Sequence, residues 1–114
     1  MVEVRRGRLV FIAGQAALDA EGKVVGKGDF EAQATQVFAN LAIALSAAGC
    51  TPAELVKLTV FIRDMSNLPL YRKVRDRFLA SSSPPARPAV TLVEVSKLFA
   101  DELMIEIEAI AAAA

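Results

Sequence analysis

The chain has 114 residues, of which 54% are apolar and 23% are charged, and this size and composition fit one domain with a buried core. Thirteen basic side chains balance thirteen acidic ones, which argues against a nucleic-acid partner, because neutralising phosphates requires an excess of Lys and Arg. There is no histidine and only one cysteine, Cys50. An internal disulfide, a multi-cysteine metal site and histidine-dependent catalysis are therefore excluded.

The hydrophobic residues also argue against a membrane partner. The apolar run nearest the start, residues 9–14, is too short for a signal sequence or a bilayer span. No linker-like stretch or internal repeat divides the chain, so residues 1–114 are predicted to form a single domain. We expect this domain to be cytoplasmic.

The first half of the chain predicts two strands and a helix. Residues 2–5 alternate apolar and charged side chains, and residues 8–13 are rich in strand-forming types, so the two segments are typical of a hairpin. Residues 29–48 carry apolar side chains at steps of three and four, which predicts a helix. Asp29 is its expected N-cap, and Gly49 lies where a left-handed residue ends a helix.

The second half predicts a strand, a helix and two more strands. Residues 56–63 form the strand, and Asn67 is the expected cap of the helix that follows. The apolar stripe of that helix is predicted to contain Leu70, Tyr71, Val74 and Phe78. Residues 81–88 form a proline-rich loop, and strands are predicted at residues 89–95 and 104–111.

The predicted order, ββαβαββ, indicates a two-layer α/β (α+β) domain in which two helices cover one face of a mixed sheet. Several strands are nevertheless apolar on both faces, as in residues 9–13, where successive side chains are all hydrophobic. The face that the helices leave open needs another partner, and a second copy of the chain supplies one. We therefore expect a homo-oligomer.

Two charged groups stand out as candidates for chemistry. Arg87 lies between prolines, and a guanidinium on so stiff a loop is suited to binding a carboxylate through two hydrogen bonds. Glu106 and Glu108 are two residues apart on a predicted strand, so they share a face, and a carboxylate there can activate water as a general base. The alternatives are a solvated loop arginine and a pair of surface charges on an edge strand.

Gly14 and Cys50 are weaker candidates. The backbone of Gly14 ends a predicted strand and can approach a ligand closely, although a strand-ending turn explains it better. Cys50 follows a helix terminus and has no neighbouring base in the sequence to activate it, so an inert thiol is expected.

Five segments follow one another in a characteristic order: VFIAGQAALDAEGKVVG, DFEAQATQVFANLAIALSAAG, VKLTVFIRDMSNL, PPARPAV and IEIEAIA. In this order and with these gaps they resemble the Rid (YjgF-type, RidA-like) family, also called the endoribonuclease L-PSP family. The resemblance covers nearly the whole chain, from residue 8 to residue 111. It implies a chorismate-mutase-like fold, a homotrimeric barrel and ligand pockets between subunits.

The resemblance also implies an activity and residues for it. Family members hydrolyse reactive enamine and imine intermediates such as 2-aminoacrylate to 2-oxo acids and ammonia, and they need no cofactor or metal. Arg87 matches the arginine that holds the substrate carboxylate, and Glu106 matches the acidic residue that positions or activates water. Gly14 matches the glycine whose backbone lines the pocket.

The sequence departs from the family pattern at several positions. The family's N-terminal Gly-Pro-Tyr motif has no counterpart before the first shared strand, and the connection between residues 90 and 106 is longer. Ala13 and Ala89 replace a hydroxyl residue and a cysteine at pocket positions. Three functions therefore stay open: an imine deaminase, a non-catalytic trimer that binds small carboxylates or a relative with another substrate, and an endoribonuclease or translation inhibitor.

Overall fold

Four segments rich in apolar residues form one mixed β-sheet in the computed structural model, which describes all 114 residues. The strands are β1 (Arg8–Ala16), β2 (Leu55–Ile62), β3 (Ala89–Glu94) and β4 (Ile105–Ala113). The helices are α1 (Phe30–Ala47) and α2 (Leu68–Leu79). Single 3₁₀ turns, Pro52–Glu54 and Met65–Asn67, lie on either side of β2, and longer loops, residues 17–29 and 80–88, join β1 to α1 and α2 to β3. This is the predicted two-layer arrangement of a mixed sheet and two helices.

The strand order across the sheet is β1-β4-β2-β3. β2 and β3 are parallel and are connected by α2, as a parallel pair requires a crossover. The last strand, β4, is antiparallel to both β1 and β2 and lies between them. Glu106 and Glu108 therefore lie on an interior strand, and the alternative that they decorate a sheet edge is wrong.

The first helix begins and ends as its sequence predicts. The Asp29 carboxylate accepts a hydrogen bond from the backbone N–H of Ala32 at 3.0 Å, which satisfies one of the free donors of the first turn. Gly49 has φ of 74°, a left-handed conformation that glycine adopts without a steric penalty. The side chains of α1 that face the sheet are buried, among them Val37, Leu41 and Leu45.

The second helix differs from the prediction in two details. Asn67 makes no side-chain capping bond; it ends a 3₁₀ turn that begins at Asp64, whose carboxylate accepts a hydrogen bond from the N–H of Ser66. Leu70 is 37% exposed, because the side of α2 that packs against the rest of the chain carries Tyr71 and Val74, which are buried. The buried stripe of α2 is therefore narrower than the stripe predicted from the sequence.

The predicted N-terminal hairpin is wrong. Residues 2–5 form no strand, and β1 instead continues past the expected end to Ala16. Gly7 lies against the carbonyl of Ala113 at the end of β4, where a Cβ atom would overlap it, so the chain enters the sheet there. Val2 and Val4 stay exposed, and a strand that buries no apolar face is only marginally stable.

The two faces of the sheet have different surroundings. On the helix-covered face a single core contains 22 buried residues, including Leu58, Val60 and Ile62 of β2 and Ile107 of β4. The opposite face carries no secondary structure of this chain; we call it the open face. Neither helix combines the length and the apolarity that a bilayer crossing requires.

Candidate functional site

The open face carries large apolar side chains that this chain does not cover. Leu9 and Phe11 of β1 are 53% and 71% exposed, and Val93 of β3 is 40% exposed. A depression of about 480 Å³ crosses this face between β1, β4 and β2, and Lys57 and Glu108 are its charged lining. Large apolar side chains exposed in this way are typical of protein interfaces.

The open face also carries the Glu106 carboxylate, which lies directly against Gly14. A Cβ atom added to Gly14 would overlap the carboxylate of Glu106, so this close approach requires glycine. The contact occurs at an irregularity, because three steps of β1, from Ile12 to Gln15, face two steps of β4. The extra residue of this β-bulge interrupts the regular pairing of β1 with β4, and the Glu106 carboxylate lies beside Gly14 at this interruption.

The surroundings of Glu106 favour its protonated form. Partial burial raises the pKa of the Glu106 carboxyl above its usual value, and the nearby negative charge of Glu108 raises it further. No cation of the chain lies within ion-pair distance of Glu106. A half-buried carboxyl with a raised pKa and no partner has the properties of a general base or acid.

Arg87 lies on the loop before β3, and its guanidinium is free. The preceding residue, Ala86, is buried and donates its N–H to the carbonyl of Leu79 at 2.9 Å, which fixes the loop against the end of α2. Arg87 itself is exposed and makes no ion pair within the chain. Its five donors are available to a carboxylate ligand.

The fold brings Gly14 and Glu106 together and leaves Arg87 far from both within one chain. Positions along the sheet can be compared on β2, where Ala89 pairs with Lys57 and Glu106 pairs with Phe61, four residues further on. Arg87 precedes Ala89 by two more residues. Six residues of extended chain separate the positions of Arg87 and Glu106, or roughly 20 Å. One substrate cannot contact both side chains of a single chain.

Other residues singled out from the sequence are part of the core. Cys50 is buried, and its sulfur lies 3.8 Å from the carbonyl oxygen of Ala48. Tyr71 is buried between the helices, where desolvation raises the pKa of its hydroxyl to about 12. No group of three or more acidic or cysteine side chains is placed to hold a metal ion.

One polar residue near the site has no counterpart among the candidates from the sequence. Gln33 is completely buried and bonds through its side chain to the backbone just before β4. The signal was present in the sequence, because Gln33 lies three residues after Phe30 and four before Val37 on the apolar stripe of α1. A polar side chain on such a stripe needs buried partners.

The comparisons with known proteins agree with this fold. The family model of the endoribonuclease L-PSP proteins matches residues 2–113. The chain is 37% identical to a RutC family protein of Pyrococcus horikoshii over 108 residues, which is 95% of this chain and 82% of that protein. It is 34% identical to the 2-iminobutanoate/2-iminopropanoate deaminase of Salmonella typhimurium over 105 residues, 92% of this chain and 80% of the other.

Solved structures give the same result. The YjgF gene product of E. coli has a TM-score of 0.84 at 33% identity, with 96% of this chain and 84% of that chain covered. E. coli TdcF with bound serine has a TM-score of 0.86 at 29% identity, with 97% and 85% covered. On the match of the whole sheet, both helices and nearly all residues, the chain belongs to the endoribonuclease L-PSP family, which includes the YjgF, Rid and RutC proteins.

Proposed function

We propose that the protein hydrolyses reactive 2-imino acids and their enamine forms, such as 2-aminoacrylate, to 2-oxo acids and ammonia. The observation that carries the proposal is the half-buried Glu106 carboxyl, which has a raised pKa and lies against Gly14. The relative from Salmonella typhimurium bears the name of this activity at 34% identity. We further propose that the reaction takes place in the cytoplasm.

The roles follow from the chemistry of the groups. Arg87 binds the carboxylate of the imino acid through two charge-assisted hydrogen bonds and orients it. Glu106 takes a proton from a water molecule as the water oxygen bonds to the imine carbon. Transfer of this proton to the nitrogen gives a carbinolamine, which carries a hydroxyl and an amino group on the same carbon. The hydroxyl proton then also passes to the nitrogen as the carbon–oxygen double bond forms and the carbon–nitrogen bond breaks, so that ammonia leaves behind a 2-oxo acid. In this proposal the imine end of the substrate, where the reaction takes place, lies near Gly14.

The proposed site is formed by two subunits of a homotrimer. Because Arg87 and Glu106 of one chain are roughly 20 Å apart along the sheet, Arg87 of one chain must act with Glu106 of another. Exposed Leu9 and Phe11 on the open face support this association, since burying them removes apolar surface from water. The substrate then lies in a cleft that no single chain contains.

The direct test is ammonia release from 2-aminoacrylate generated by a pyridoxal-phosphate dehydratase, measured with and without the protein. We expect the protein to raise the rate of ammonia and pyruvate formation above that of spontaneous hydrolysis. A rate equal to the spontaneous one, with a set of longer-chain imino acids also unaffected, would contradict the proposal.

A second candidate function is binding of small carboxylates without turnover. It is favoured by the solved structure of TdcF, which holds serine, an amino acid with a carboxylate, at 29% identity to this chain. Calorimetric binding of pyruvate or serine in the absence of any ammonia release would support this function over the deaminase.

Ribonuclease activity is the remaining candidate. The balanced charge of the chain provides no excess of Lys and Arg to neutralise phosphates. We therefore expect any cleavage of single-stranded RNA to be weak and to disappear at high salt. Cleavage that persists at high salt and is lost in Arg87→Ala would favour the ribonuclease instead.

A further inference from the structure

The side of α1 that faces the sheet carries one fully buried polar side chain, Gln33. Its amide nitrogen donates a hydrogen bond to the carbonyl of Glu102 at 2.8 Å, and its amide oxygen accepts one from the N–H of Met104 at 2.8 Å. These two backbone groups belong to the loop that leads into β4. Gln33 therefore holds the start of β4 against the first turns of α1.

A second amide of α1 holds the other side of the same region. Asn40 is seven residues beyond Gln33, about two helical turns, so both side chains lie on one side of α1. Its amide nitrogen donates to the carbonyls of Ala16 at 3.0 Å and Leu18 at 2.9 Å, at the end of β1. The Gln36 side chain donates to the oxygen of Asn40 at 2.8 Å and so fixes the orientation of that amide.

The two amides hold the two segments that surround Glu106. Ala16 is the residue of β1 that pairs with Glu106, and Met104 lies two residues before Glu106, at the end of the loop that leads into β4. Glu106 is paired with Ala16 on one side and with Phe61 on the other, whereas Gly14 lies in the β-bulge outside the regular ladder, so backbone pairing alone does not fix Gly14 relative to Glu106. The position depends on groups outside the two strands.

We propose that Gln33 and Asn40 are positioning residues that hold the Glu106 carboxylate against Gly14. The catalytic meaning of this position rests on the proposed function, whereas the position itself does not. Neither amide touches the carboxylate; both act through the backbone of β1 and β4. Their loss allows the ends of the two strands to separate and lets water reach Glu106.

The electrostatic surroundings make this movement measurable. Glu106 faces Glu108 on its own strand, while its partners on the neighbouring strands, Ala16 on β1 and Phe61 on β2, carry no charge. Burial is the largest cause of the raised pKa of Glu106, and repulsion from Glu108 is the smaller one. A carboxylate that moves away from Gly14 into water must therefore lose most of the elevation.

The test compares the wild type with Gln33→Met, which keeps the length of the side chain and removes both hydrogen bonds. The pKa of Glu106 is measured by carbon NMR of the side-chain carboxyl groups, with Glu106→Gln used to assign the signal. We expect the pKa to fall toward the ordinary glutamate value. We also expect kcat for imine hydrolysis to fall about tenfold or more with KM little changed, since misplaced catalytic groups have effects of this size.

Leu45→Ala is the matched control. Leu45 is fully buried on the same helix and makes none of these hydrogen bonds, so its truncation lowers Tm through a cavity alone. We expect it to leave the pKa of Glu106 and kcat unchanged. An equal drop of Tm in both variants with an unmoved pKa and kcat in Gln33→Met would overturn the proposal.

Asn40→Ala provides an independent second test, because Asn40 is only half-buried and its loss disturbs the core less. If Gln33→Met does not fold, a lowered pKa of Glu106 in Asn40→Ala supports the proposal and an unchanged pKa overturns it. The NMR titration requires no turnover. Wild-type protein that releases no ammonia but shows the shift would contradict the proposed function alone, and an active wild type without the shift would contradict the positioning role alone.

Discussion

The helix-covered face and the open face of the same sheet differ in how completely a single chain buries their apolar side chains and provides partners for their polar ones. On the helix-covered face the apolar side chains are buried, and the buried amide of Gln33 makes hydrogen bonds through both its nitrogen and its oxygen, although the buried Tyr71 hydroxyl has no partner. On the open face Leu9 and Phe11 are exposed, and Glu106 has no cationic partner. The apolar side chains of one face are covered within a single chain and those of the other are not; in this sense one face is complete and the other is incomplete.

The incomplete face is the one that carries the candidate chemistry. A carboxyl with a raised pKa is costly to maintain, and perturbed groups of this kind are concentrated at functional sites. The helix-covered face provides the stability that permits this arrangement. Two classes of residue are therefore separated in space, those that fold the chain and those that we expect to act once chains associate.

The largest expected effect comes from placing a charge on the open face. Phe11→Asp changes a side chain that is 71% exposed, so the single chain should still fold. A buried carboxylate without a partner is costly, and we expect it to prevent trimer formation. Light scattering coupled to size exclusion should give about three times the chain mass for the wild type and the mass of one chain for the variant, with imine hydrolysis lost.

Leu70→Asp is the control for this prediction, because Leu70 is 37% exposed on α2, in the helix layer. We expect it to leave both the mass and the activity unchanged. A wild type that is a monomer at micromolar concentration would contradict the two-subunit site.

The next largest effect is expected at the carboxylate of the open face. Glu106→Gln keeps the shape of the side chain and removes the base, so kcat should fall by about two decades or more while pyruvate binding survives. The base acts in its ionised form, so wild-type activity must rise with pH through the pKa of Glu106, which burial raises above its ordinary value. The pH–rate profile of the variant should lack this acidic limb, and an unchanged limb would show that another group provides it.

Arg87→Lys tests the second half of the proposed site. Lysine keeps the charge but lacks the planar pair of donors that binds a carboxylate, so kcat/KM should fall by roughly one to two decades, about 1.5–3 kcal/mol. Steady-state kinetics and calorimetry with pyruvate measure the change. Arg72→Lys, an exposed arginine on α2, is the control and should behave as the wild type. Equal loss in both variants would show a general charge effect.

The helix-covered face could be predicted from the sequence because its signals are local. The caps at Asp29 and Gly49 and the stripe of α1 each depend on residues within a few positions of one another. The predicted hairpin at residues 2–5 was wrong because local alternation does not tell whether the strand gains a buried face. Leu70 is predicted in the buried stripe of α2 but is exposed, because helical periodicity defines the buried face only to within a neighbouring position.

The candidate site could be predicted only in part. Arg87, Glu106 and, more weakly, Gly14 stand out in the sequence itself, and the resemblance to a family assigns them to a ligand pocket. The contact of Gly14 with Glu106 depends on a β-bulge that strand periodicity does not reveal. The position of β4 between β1 and β2 is a non-local property of the sheet. The role of Gln33 required knowing which backbone groups reach α1 from about 70 residues away.

A smaller effect on stability distinguishes Glu106 from the helix-covered face. Its pKa is higher in the folded chain than in the unfolded one, so its contribution to stability is fully present below the unfolded pKa and is lost as pH rises through the folded pKa. Glu106→Gln should therefore have a higher Tm than the wild type at neutral pH. The difference should vanish in acid. Thermal melts at several pH values measure it, and a constant difference would contradict the raised pKa.

The smallest effect is expected on the helix-covered face, at Cys50. Its thiol is buried at the end of α1, with the Ala48 carbonyl 3.8 Å from the sulfur and no base beside it. A serine hydroxyl at the same place can donate to that carbonyl, so Cys50→Ser should lower Tm only slightly and leave kcat and KM for imine hydrolysis unchanged. Melting curves and ammonia-release kinetics measure the two quantities separately. Loss of turnover with an unchanged Tm would mean that a residue of the complete face takes part in the chemistry, and the division between the two faces would then fail.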